Sequence, residues 1–227
     1  MPLAGKGMLL TSMDIDAADE RDFNRWYDRE HLEERVAIDG FLEARRYVAH
    51  RGSPKYLCLY STETFEVLDS PAYRAALANP TDWSKTTMAR FKNMIRAVAR
   101  ITLSRGNGRG AALGIVRLRP PGDADGLRAL LHDKLDPAGS DGIISMHLIE
   151  SDPALSRPIS EAPSTANPGA GDWFVLIDGT RVDAISLLVA DRFEVAGIGS
   201  ATVISTGIYR LMWDLARSDL RPAENPA

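Results

Sequence analysis

One stretch of this 227-residue chain concentrates the residue types that do chemistry, and its spacing is helical. Between Asp19 and Tyr47, positions 23, 27 and 31 recur at i, i+4 and i+8, with 26, 30 and 34 beside them. Such positions share one face of an α-helix. The stripe reads Phe23, Trp26, Tyr27, Glu30, His31 and Glu34. Burial and a nearby carboxylate are what move an imidazole pKa, and histidine is the commonest general acid or base near neutral pH. The chemistry this points to is proton transfer. His31 would move the proton, Tyr27 or an arginine (Arg45 or Arg46) would steady developing oxyanion charge, and Trp26 would pack the substrate. The competing reading is structural: His31 caps helix carbonyls, and Glu30 pairs with a surface arginine.

A second helical stretch about a hundred residues on offers a contrast, because its stripe reads Leu127, Leu130, Leu131, Leu135. Position 135 is Leu where position 31 is His, so a packing position carries a titratable group in the first stretch alone. Other residues join the candidate site as substrate contacts. Arg45 shares a strand face with Phe41, Glu43 and Tyr47, and Arg46 shares the opposite face with Leu42, Ala44 and Val48. Either guanidinium can grip a carboxylate or enolate with two prongs. Tyr60 lines one face of its strand with Tyr56 and Cys58. Trp83, shortly after Pro80, falls where a second helix can lid a pocket.

The elements that must position these residues follow from periodicity and turn chemistry. Gly7 to Ile15 reads as a strand; Asp19 reads as the N-cap of a helix running to about Ala37 and stopped by Asp39-Gly40. Strands Phe41 to His50 and Tyr56 to Thr62 flank the turn Arg51-Gly52-Ser53-Pro54. A helical pattern from Phe65 to Phe91 breaks at Asn79-Pro80. Met94 to Leu103 closes the unit, with Ile95, Ala97, Ala99, Ile101 and Leu103 on one face. After a glycine-rich link the order repeats. Strand Gly114 to Arg119 leads to a helix capped by Asp123, then strands Ile143 to Ile149 and Trp173 to Asp178. Helix Val182 to Ala196 and strand Thr202 to Trp213 complete it.

The expected fold is therefore α+β, with two tandem ferredoxin-like βαββαβ units. The first spans 1–105, a linker 106–110, the second 111–216, and a tail 217–227. Each unit implies a four-stranded antiparallel sheet, and two such sheets packed face to face make an intrachain pseudo-dimeric α+β barrel. A proline-rich insertion at 152–172 interrupts the second unit and reads as a flap or partner-docking arm.

Composition excludes several classes of partner. A net charge of −4 and a pI near 5.6 argue against nucleic acid or an anionic membrane surface. No apolar run approaches the roughly 20 residues of a membrane span. A single cysteine, Cys58, admits no internal disulfide, and a cytoplasmic location is expected. The four histidines (31, 50, 132, 147) are scattered without metal-ligand spacing, so no metal is expected. No other cofactor is expected either; a haem held by His132 or His147 is the less favoured alternative, since nothing singles either out.

The pattern Phe23-x-x-Trp26-Tyr27-x-x-x-His31, followed by Gly40-Phe41, resembles the helix motif of EthD-like proteins in the dimeric α+β barrel superfamily. Trp-Tyr stands here where Tyr-Trp is common. The resemblance implies the fold and a tendency to form homodimers. It extends over the first unit, while the second agrees only in element order and in Asp141-Gly142. Residues and resemblance together lead to a small-molecule pocket protein. One reading is a cofactor-free acid/base enzyme of isomerase, cyclase, lyase or monooxygenase type, acting on a small hydrophobic or aromatic carbonyl compound. The other is a non-catalytic metabolite-binding or oligomerisation protein.

Overall fold

The computed structural model describes residues 3–122, 124–157, 170–195 and 197–220. Its strands are β1 (Gly7–Asp14), β2 (Phe41–Arg51), β3 (Tyr56–Thr62), β4 (Lys92–Gly106), β5 (Ala112–Arg119), β6 (Ile143–Ser151), β7 (Trp173–Gly179) and β8 (Thr202–Ala216). Every neighbouring pair is antiparallel, in the order β1-β3-β2-β8-β5-β7-β6-β4, and β4 returns to β1.

This overturns the expectation of two ferredoxin-like units with separate, stacked four-stranded sheets. β2 pairs with β8 from Glu43↔Ala216 to Arg51↔Ile208, and β4 pairs with β6 from Ala99↔Ser151 to Gly106↔Ser145. Those two ladders join the halves into one closed eight-stranded antiparallel barrel in a mixed α/β chain. The physical reason lies in strand length. At 15 residues each, β4 and β8 outrun their hairpin-side neighbours and pair onward with the other half. Closure removes the unpaired strand edges that stacked sheets would expose.

The helices lie outside the barrel: α1 (Glu20–Trp26), a π-helical turn (Tyr27–His31), α2 (Leu32–Val36), α3 (Pro71–Ala78), α4 (Asp82–Met88), α5 (Ala124–Lys134) and α6 (Val182–Val189). The break at Asn79-Pro80 stands as expected between α3 and α4, each started by a hydroxyl cap. Ser70 Oγ accepts from Tyr73 N at 3.2 Å, and Thr81 Oγ1 accepts from Ser84 N at 2.9 Å. Asp19 makes no side-chain cap; its carboxylate pairs with Arg90 at 3.4 Å instead. The expected cap Asp123 and the middle of the proline-rich insertion, 158–169, lie outside the described residues. Both ends of that insertion are anchored. Ser156 Oγ accepts from Val98 N at 2.9 Å, and buried Asp172 pairs with Arg117 at 2.6 Å.

Period-two alternation along the strands produces three apolar cores. The barrel lumen holds Met8, Leu10, Tyr47, Leu59, Ala97 and Phe174 among others. A first outer layer packs α1, α2 and α3 on the sheet through Phe23, Trp26, Val36, Phe41, Tyr60 and Tyr73. A second packs α5 and α6 through Leu127, Leu131, Leu135, Ile185 and Val189. Leu103 departs from the face expected for it: the register of β4 shifts between Ile101 and Leu103, which sends Leu103 to the second outer layer. Among the described residues no helix is long and apolar enough to cross a membrane.

Candidate functional site

The π turn at Tyr27–His31 falls inside the stripe singled out by sequence. Such a turn widens the helix locally and occurs often where side chains must be re-aimed. Here it sets the His31 ring against Trp26 at 4.1 Å between centroids and 26° between planes. Tyr27 and Tyr60 meet the imidazole edge-on at 5.3 Å and 6.2 Å. Trp26 is itself pinned, because Nε1 donates to Glu30 Oε1 at 3.1 Å and to Ser84 Oγ at 3.0 Å. Glu30 Oε1 also accepts from Thr81 Oγ1 at 2.6 Å. Glu30 therefore joins the π turn to α4 rather than pairing with a surface arginine.

His31 is half-buried as a residue, and its Nδ1 is buried without a hydrogen-bond partner among the described residues. Burial pulls its pKa well below 6.5, and the positive charges of Arg35 and Arg46 act in the same direction. The imidazole is neutral at neutral pH. Tyr60 Oη and Thr11 Oγ1 are likewise buried and unpartnered in this layer. Burial raises the pKa of Tyr27 and of Tyr60 and pushes the Cys58 thiol up to about 12, so all three stay protonated. Tyr27 Oη donates to Met13 Sδ at 3.8 Å.

The structure brings Trp26, Tyr27, His31, Tyr60 and Arg46 together. Arg46 is committed to holding the site: it reaches Asp28 at 3.2 Å and Asn24 at 2.6 Å, and its guanidinium lies 4.1 Å over the Tyr27 ring. Trp83 stands at the rim of the same layer, with Arg25 5.6 Å over its ring. Arg45 is not part of this group. It projects from the opposite face of β2 into the lumen and grips Asp178 at 3.1 and 3.4 Å.

Around that pair lies a second polar cluster. Gly110 N donates to Asp178 Oδ1 at 3.2 Å, and His147 Nε2 stands 3.8 Å from Asp178 Oδ2. Ser145 Oγ donates to Gly108 O at 2.9 Å, so His147 Nε2 donates to Ser145 Oγ at 2.9 Å. Nδ1 then accepts from Ser104 Oγ at 3.0 Å. Burial and Arg45 depress the His147 pKa to about 3, while burial outweighs Arg45 and raises that of Asp178. Above this cluster a cleft of about 640 Å³ opens at the barrel mouth, lined by Glu43, Arg45, Arg109 and Asp214. Sequence reasoning missed Asp178, whose partner is 133 residues away. It also missed Arg35, buried one step past His31 on the helical stripe. The continuing i+4 spacing from 27 and 31 was the signal for Arg35.

No family model matches the sequence, and no curated protein does. Solved structures do. An anthrone oxidase-like protein matches with a TM-score of 0.60 at 11% identity, covering 97% of each chain. A monooxygenase-like protein from Lactobacillus acidophilus matches with a TM-score of 0.57 at 8% identity, over 94% of this chain and 97% of that one. A heme-binding protein from Thermus thermophilus matches with a TM-score of 0.52 at 10% identity, over 93% of this chain and 92% of that one.

A haem needs an axial ligand such as His, Cys, Met or Tyr with a free coordinating atom. His147 commits both ring nitrogens to serines, the Cys58 thiol is buried in the sheet, and His31 lies flat on Trp26 among rings already in contact. The space between α5, α6 and the sheet is filled by leucine, isoleucine and valine. None of the three side chains, His147, Cys58 and His31, is placed as the axial ligand of a haem. What the likenesses establish is the fold alone: this chain shares the barrel of these solved structures.

Proposed function

We propose that this protein binds a small hydrophobic or aromatic carbonyl compound beside His31 and moves a proton on it without a cofactor. The class is that of isomerases, cyclases, lyases or cofactor-free monooxygenases. The observation that carries the reading is the buried, partnerless Nδ1 of a neutral histidine. Leaving such an atom unpaired costs the fold about 1–3 kcal/mol, which a bound ligand would recover. With Nε2 carrying the proton, Nδ1 presents a lone pair able to take the acidic C–H proton next to a carbonyl. Tyr60, whose ring meets the imidazole edge-on at 6.2 Å and whose Oη is protonated and unpartnered, would donate to the developing enolate oxygen. Trp26 holds the imidazole plane, and Tyr27 walls its edge.

The test is hydrogen–deuterium exchange at the α-carbon of aryl ketones in D₂O, followed by NMR. Wild-type protein accelerates exchange, and His31→Leu, the residue of the second layer, loses about 10²–10⁴-fold while staying folded. Full activity in His31→Leu removes His31 from the chemistry. Binding with no exchange in the wild type supports the second reading, a protein that sequesters its ligand without turnover.

A further inference from the structure

The cleft of about 640 Å³ at the barrel mouth opens on the opposite face of β2 from the His31 layer, and its size is that of a small-molecule site. Two strands build its charged wall. Glu43 and Arg45, two apart on β2, share a face, and Asp214 pairs with Arg45 across the β2–β8 ladder, so all three point the same way. Glu43 and Asp214 are diagonal neighbours there, about 7–8 Å apart at the backbone. Both lining cations are taken: Arg45 grips Asp178 beneath the cleft, and Arg109 pairs with Glu43. Asp214 is the lining charge left over, because among the described residues no hydrogen bond or ion pair engages its carboxylate. The pair at Glu43 is lopsided. Its carboxylate is 7% exposed on a strand, whereas the Arg109 side chain is 39% exposed and comes from the glycine-rich link. That link is pinned on either side of Arg109: Gly108 O accepts from Ser145 Oγ at 2.9 Å, and Gly110 N donates to Asp178 Oδ1 at 3.2 Å. The pins hold the backbone and leave the Arg109 side chain as the part that can withdraw from the cleft.

We infer that this cleft binds a small organic cation, a guanidinium or ammonium compound with a short apolar chain, seated on Asp214 and Glu43 in place of the Arg109 side chain. Arg109 itself shows what Glu43 accepts at the cleft wall, a guanidinium. A ligand's cationic head reproduces that charge-assisted bond and adds one to Asp214, which Arg109 leaves unpaired. The exchange keeps the Glu43 carboxylate paired throughout, and a carboxylate buried alone is costly. Leu211 and Ala111 border the apolar chain. An anion fits poorly, since both guanidinium groups already face carboxylates and Asp214 would repel it. Among the described residues no three metal-ligating side chains gather, so the cation this wall suits is organic. None of this depends on the chemistry proposed at His31.

The experiment titrates the intact chain calorimetrically with agmatine, which carries a guanidinium and an ammonium group on a butyl chain. Glutarate and 1,5-pentanediol serve as the anionic and uncharged counterparts. Agmatine is expected to bind saturably at one site, with neither counterpart competing. Asp214→Asn, at an exposed position, is expected to weaken agmatine at least about tenfold, the loss of one charge-assisted hydrogen bond. Arg109→Ala should act with the opposite sign, tightening agmatine at least about threefold because the competing side chain is gone. Agmatine should also raise the melting temperature of Arg109→Ala more than that of the wild type. Absence of agmatine binding in the wild type and Arg109→Ala alike overturns the inference. Unchanged affinity in Asp214→Asn does the same, as does glutarate displacing agmatine or Arg109→Ala weakening it. Where Arg109→Ala does not fold, the Asp214→Asn titration decides alone.

Discussion

The two outer layers of the barrel solve the same packing problem with different residues. Under α5 and α6 the solution is wholly apolar, with Leu127, Leu131, Leu135, Ile185 and Val189 sealing the sheet. Under α1 and α2 the corresponding space holds a stacked Trp26–His31 pair, the Tyr27 and Tyr60 rings, and two buried arginines, Arg35 and Arg46. Unpartnered buried polar atoms gather here as well, on Thr11, His31, Arg46, Tyr60 and Thr87. The second layer shows that the fold closes without any of these groups. Their presence in the first layer costs stability, which is what the proposed site would explain.

The largest expected effect comes from moving the first layer's chemistry into the second. Leu135 is fully buried, and Leu135→His would place an unpaired imidazole among aliphatic side chains. A loss of about 2–4 kcal/mol in urea unfolding is expected. A loss below about 0.5 kcal/mol would mean that the layers tolerate polar groups equally, and the contrast would fail. Next comes the lock on the site. Glu30→Ala removes the acceptor shared by Trp26, Thr81 and Ser84, at an expected cost of about 1.5–3 kcal/mol and with a changed Trp26 fluorescence. Glu30→Ala with wild-type stability would make that network decorative.

The smallest effect sharpens the comparison through pH. The folded pKa of His31 lies below its unfolded value near 6.5, so the unfolded chain binds the extra proton first. Stability from this residue is complete above about pH 6.5 and is lost as pH falls below it, by at most about 1.4 kcal/mol per pH unit. His31→Leu should therefore flatten the acid limb of the stability profile and gain about 1 kcal/mol at neutral pH. His147, depressed to about 3, adds a limb of the same sign that His31→Leu leaves in place. An unchanged limb in His31→Leu would place the titration elsewhere.

Much of the architecture was readable from local pattern. β3 occupies Tyr56–Thr62 as alternation and turn residues predict, and the α3–α4 break follows from Pro80. Closure was not readable, because β2–β8 and β4–β6 pairing joins segments that no local period relates. The Trp26–Tyr27–His31 group was legible because one helix carries it at i, i+1 and i+5. Its π turn was not, since the tryptophan and imidazole stack through a local widening that leaves the residue spacing unaltered. Arg45 sat on the wrong side of β2 for this site, as its alternation with Arg46 implied, but only the structure shows that Asp178 pairs with it. Arg35 escaped notice because an arginine on an exposed-looking helix is ordinarily taken for surface charge.

The measurement that bears most directly on the central claim is a nitrogen-15 NMR titration of the His31 ring, without ligand and with an aryl ketone. The account predicts an imidazole that stays neutral well below pH 6.5, with no hydrogen-bonded signature at Nδ1. The ketone should then shift the Nδ1 resonance selectively. An ordinary titration near pH 6.5, indifferent to the ketone, would show a solvated or capping histidine and contradict the account.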